Sequence, residues 1–116
     1  MPEVKIKVRL KQKPNGTYDV AVIPQRASVP LGATALRWEA EESETFFPEA
    51  DFINFKVGGP PTPVTRSADG KTLSVEYDNK NGGLWVYSVT ISNGSIAIDI
   101  DPEIDNERPP GGGGGN

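Results

Sequence analysis

Residues 4 to 11 read Val-Lys-Ile-Lys-Val-Arg-Leu-Lys, apolar and basic side chains in strict alternation. A period of two is what a half-buried β-strand requires. It puts Val4, Ile6, Val8 and Leu10 on one face and Lys5, Lys7, Arg9 and Lys11 on the other. The rhythm returns in short bursts. Thr34, Leu36 and Trp38 alternate with Ala35 and Arg37, and Leu73, Val75 and Tyr77 with polar residues. Trp85, Tyr87 and Val89 oppose Leu84, Val86 and Ser88, and Ile96, Ile98 and Ile100 close the series. A helical turn fits only at residues 40–44, where like charges repel at i,i+3 and Pro48 stops extension.

Turn chemistry punctuates these bursts. Asn15-Gly16 points to a hairpin into a second strand at residues 18–23, with Lys13 and Pro14 lengthening the loop. Pro24 closes that strand, residues 27–29 are briefly extended, and Pro30-Leu31-Gly32 ends them. Asp69-Gly70 and Asn81-Gly82 mark further turns, and Asn93-Gly94 is the tightest hairpin signal. Residues 52–57 form another strand, with Phe52, Asn54 and Lys56 opposite Ile53, Phe55 and Val57; residues 58–63 are a turn-rich connection. The acidic stretch 39–51 reads as a loop whose phenylalanines fold back on the core. The expected architecture is one all-β domain over residues 1–108, a seven- or eight-stranded Greek-key β-sandwich or a small barrel. Trp38 is its expected core anchor. Residues 109–116, with glycine at every position from 111 to 115, are expected to form a disordered tail.

Among the 116 residues there is no histidine and no cysteine. That excludes an imidazole general base, a thiol nucleophile, a disulfide framework and any metal site built on imidazole or thiolate. No nucleotide-binding or nucleophile-elbow signature appears. The chain is therefore expected to be noncatalytic and to need no cofactor. The formal charge of −4 gives no encouragement for nucleic acid or anionic membranes. The charged N-terminus lacks the apolar core of a signal peptide, so cytoplasmic residence is the default expectation, with an exported mature domain left open.

The stretch over residues 24–38 resembles the cupredoxin pattern, in which a strand beginning near a proline leads through a glycine turn to an aromatic-bearing strand. Gly83-Leu84-Trp85-Val86-Tyr87-Ser88-Val89 is similar to the late strand of that fold, where a glycine and alternating aromatics approach the metal site. Immunoglobulin-like sandwiches share much of this periodicity, with a core tryptophan early and a tyrosine late. A blue-copper site needs two imidazoles and a thiolate, and this chain has neither residue type. The resemblance thus implies a copper-free scaffold, and fold alone says little about activity.

Function is then expected to lie in surfaces. Lys5, Lys7, Arg9 and Lys11 form a basic row in an acidic protein, suited to an acidic protein partner or to a second copy of the chain. The competing reading is a solvated strand whose lysines guard a sheet edge. Phe46 and Phe47 are adjacent, so a regular strand cannot bury both on one face; an exposed one, rimmed by glutamates, would suit a protein contact. Asp99, Asp101, Glu103, Asp105 and Glu107 could offer oxygen ligands to calcium, but without a turn their roughly 7 Å spacing is too wide for a cage. Trp85 and Tyr87 are either core or a sugar-stacking platform. The leading expectation is a noncatalytic protein-binding or structural module, by partner or self-association, with calcium or carbohydrate binding as the alternative.

Overall fold

A computed structural model describes residues 1–110; most of the expected tail at 109–116 therefore lies outside the described residues. Among the described residues ten strands build two sheets. The front sheet has the order β2 (Tyr18–Ile23), β1 (Glu3–Gln12), β4 (Gly32–Ala40), β7 (Thr72–Asn79), β6 (Thr65–Arg66). The back sheet runs β3 (Arg26–Val29), β10 (Glu103–Asn106), β8 (Gly83–Ser92), β5 (Ile53–Val57), and β9 (Ala97–Ile100) pairs with the far half of β8. Most pairs are antiparallel, but β1 with β4 and β3 with β10 are parallel.

Inward residues of both sheets form one core. Ile6, Val8 and Leu10 of β1, Leu36 and Trp38 of β4, and Leu73 and Val75 of β7 face Tyr87, Val89 and Ile91 of β8 and Ile104 of β10. Trp38 is fully buried, as its place in the alternation predicts, and its indole Nε1 donates to the Tyr87 hydroxyl at 3.0 Å. The two rings meet edge to face with centroids 5.9 Å apart, a favoured geometry for aromatic quadrupoles. This bond ties the sheets together across the middle of the core. Burial pushes the Tyr87 phenol well above its ordinary value, only partly offset by the indole N–H.

Sequence and structure differ at three points. Ten strands replace the seven or eight expected, because Thr65–Arg66 is a two-residue strand and the acidic run contains a true one, β10, with Ile104 and Asn106 buried. The strand carrying the basic row is not the outer strand of its sheet: β2 pairs residues 7–12 of β1 and β4 pairs residues 3–8, so Lys7 is paired on both sides while Lys5 is open towards β2 and Lys11 towards β4. In β5 the register shifts between Phe55 and Val57. That bulge turns Val57 outward beside Val86, leaving it 55% exposed instead of sharing the inner face with Phe55. Asn81-Gly82 lies in the turn expected there and carries the chain from the front sheet to the back one, whereas Asn15-Gly16 and Asn93-Gly94 close hairpins within a sheet.

Candidate protein-binding surface

The basic row stands on the outer face of the front sheet. Arg9 is its most engaged member, reaching Glu41 at 3.3 Å and Asp19 at 3.4 Å. The hydrogen bond to Glu41, with its charge, raises the guanidinium further above its already high ordinary value. Lys5 touches Glu3 at 3.8 Å. Lys7 and Lys11 make no ion pair among the described residues, although Glu39 and Asp19 sit beside them in register. All four cations project to one side because their apolar alternates are held in the core.

Phe46 and Phe47 part company. Phe47 is fully buried, while Phe46 is half-buried and bridges the end of β8 through reciprocal 2.9 Å bonds with the Ser92 backbone. Two cations hold the acidic loop in this shape. Lys71 Nζ donates to the carbonyls of Glu42 at 2.9 Å, Ser43 at 3.1 Å and Thr45, and Arg66 Nε donates to the Phe47 carbonyl at 2.7 Å. The Phe47 amide in turn donates to the Gly70 carbonyl at 2.7 Å. Gly70 has φ +74°, and a Cβ there would press on both the Arg66 guanidinium and the Phe47 carbonyl. Asp69 orders the same turn: the Lys71 amide and Ser67 hydroxyl hold its carboxyl below its usual value.

Trp85 and Tyr87 also separate. Tyr87 is fully buried, but Trp85 is only half-buried, packed on Tyr77 and Phe55 with centroids 4.8 and 5.7 Å away. It lines a pocket of about 200 Å³ with Asp78, Lys80 and Asn81. Beside it runs an apolar groove of about 540 Å³ between Phe52, Phe55, Val64 and the 58–63 connection. The sequence offers one clue to that groove, the pair Gly58-Gly59. A Cβ at Gly58, which has φ +71°, would collide with the Trp85 indole, so only glycine admits this approach.

The carboxylates of Asp99, Asp101, Glu103 and Asp105 form a row on the outer face of the back sheet. Asp101 meets Lys56 at 2.9 Å, Glu103 meets Arg26 at 2.6 Å, and Asp99 accepts from the Thr90 hydroxyl at 2.6 Å. No three metal-ligating side chains converge among the described residues. The chain matches no known protein family and no curated protein.

Proposed function

We propose that this chain is a noncatalytic β-sandwich module of cupredoxin-like topology that works by protein contact through the outer face of its front sheet. One observation carries the reading: the row of four cations lies on an interior strand of its sheet, with Lys7 paired on both sides, so the row does not guard one continuous open edge. Lys7 and Lys11, which make no ion pair among the described residues, are the contact residues, with the half-buried Phe46 beside Ser92 as a secondary apolar anchor. The topology is favoured over an immunoglobulin-like one by the parallel pairs β1–β4 and β3–β10, which depart from two antiparallel sheets.

The test is quantitative capture from the native source with immobilised wild-type chain and with Lys7→Glu/Lys11→Glu. An identified partner retained by the wild type should fall at least ~10-fold with the variant, and more at low salt. Equal recovery by both proteins would refute the reading. A second reading rests on the incomplete burial of Trp85 and the polar rim of its pocket, which would suit a sugar ring. Calorimetric titration with a glycan panel decides it: no saturable heat removes it.

A further inference from the structure

The two outer faces carry charge patterns that are each other's inverse. On the front sheet, Lys5, Lys7, Arg9 and Lys11 run along β1, with Asp19 of β2 to one side and Glu39 of β4 and Glu41 to the other. On the back sheet, Asp99, Asp101, Glu103 and Asp105 run along β9 and β10, with Arg26 of β3 to one side and Lys56 of β5 to the other. Each row has four like charges on alternate residues, roughly 7 Å apart. Each is flanked mainly by charges of the opposite sign; the exception is Arg37 of β4 beside Lys5, which is paired with Glu39 at 3.2 Å. Laid face to face with the rows aligned, cations meet carboxylates in the middle and carboxylates meet cations at the sides.

Resting on the protein-contact reading above, the geometry points to a second copy of this chain as the partner, its back sheet seated on the front sheet of the first. The ion pairs already present do not consume the rows. Lys7, Lys11 and Asp105 make none among the described residues. The others are partly or largely exposed, and exposed pairs contribute ~0–1 kcal/mol each, so they exchange partners readily.

Because the two faces differ, the contact is head-to-tail and continues from copy to copy instead of closing as a pair. Its extent sets its strength. Ten residues at ~3.3 Å rise and three strands at ~4.8 Å spacing cover roughly 475 Å², below the ~800 Å² per partner of a standard interface. The association is therefore weak and sensitive to salt.

Sedimentation velocity on the full chain reads this out. At ~20 mM salt the sedimentation coefficient should climb from ~10 µM to ~1 mM protein, and at ~300 mM salt it should stay at the monomer value. Lys7→Glu/Lys11→Glu spoils one face and Asp99→Lys/Asp105→Lys the other, so each variant alone should remain monomeric. A mixture of the two should associate again, since each keeps the face the other lost. Lys7→Gln/Lys11→Gln, which only neutralises, should give an intermediate loss, and circular dichroism checks that every variant is folded. A variant that still associates alone, a silent mixture, or growth that stops at a dimer would overturn the proposal. So would a wild type that stays monomeric at low salt, an outcome that leaves the capture experiment free to support a different partner.

Discussion

Strand β7 begins and ends at a polar staple, and the two staples solve one problem with different chemistry. At its start, the Lys71 ammonium holds the carbonyls of residues 42, 43 and 45. At its end, the Asn79 amide reaches the carbonyls of Val29 at 3.3 Å, Pro30 at 3.1 Å and Glu107 at 3.1 Å, while its Oδ1 accepts from the Gly82 amide at 3.0 Å. Asn79 is 5% exposed; Lys71 is half-buried on a stem that reaches out to a loop. An ammonium has one proton for each carbonyl but needs water nearby to tolerate its charge. An amide has two protons for three carbonyls but is neutral, so it can go inside. Charge serves the loop end, and the neutral group serves the end sealed between sheets, beside the Tyr77 hydroxyl that donates to Asn106.

The comparison is broken most severely at Asn79. Asn79→Asp puts a carboxylate against three carbonyl oxygens and removes both donors; urea denaturation at neutral pH should show a loss of more than ~3 kcal/mol. The deficit should narrow in acid, where a protonated carboxyl regains one donor. A loss as small as a surface substitution would mean that water reaches this end.

Lys71→Met keeps the stem and deletes the charge. About 1–2 kcal/mol should be lost, with hydrogen exchange quickening at Thr45, Phe46 and Phe47 while the amides of β4 and β7 keep their protection. Uniform quickening across the protein would erase the distinction between the two ends.

Solution pH separates the ends more gently. Burial raises the phenols of Tyr77 and Tyr87 above their ordinary value. The unfolded chain then ionises first, so the stability these groups contribute is complete below pH ~10 and declines as pH rises beyond it. Tyr77→Phe should flatten part of that decline, measured as the unfolding midpoint against pH. The smallest effect belongs to the Lys71 end. Asp69 has a lowered carboxyl value, so its contribution is present above pH ~4 and fades as pH falls through the folded-state value. Asp69→Asn should remove that acid dependence; an unchanged acid limb would show that the turn does not depend on the carboxylate.

Neither staple was legible in the sequence, and the reason is physical. Alternation reports which side chains face inward, so it found β1, β4, β7 and β8 and the buried Trp38. Lys71 and Asn79 act through backbone carbonyls of distant segments, and a carbonyl has no letter. The same blindness kept β10 inside an acidic run, because only Ile104 interrupts it with a large apolar side chain. On the surface, the basic row could be read at once. The acidic row of residues 99–105 could be read as well; what needed the pairing of residues far apart in the chain was the place of each row in its sheet and the opposite charges beside it.

The posts at either end of β7 also bear on misfolding. Leu73, Val75 and Tyr77 are interchangeable to the hydrophobic effect, so a slide of two residues along β4 keeps apolar groups inside and polar ones out. Such a slide moves Lys71 and Asn79 by ~7 Å and strands six carbonyls together. The oily middle of the strand tolerates several alignments, and its polar ends accept one.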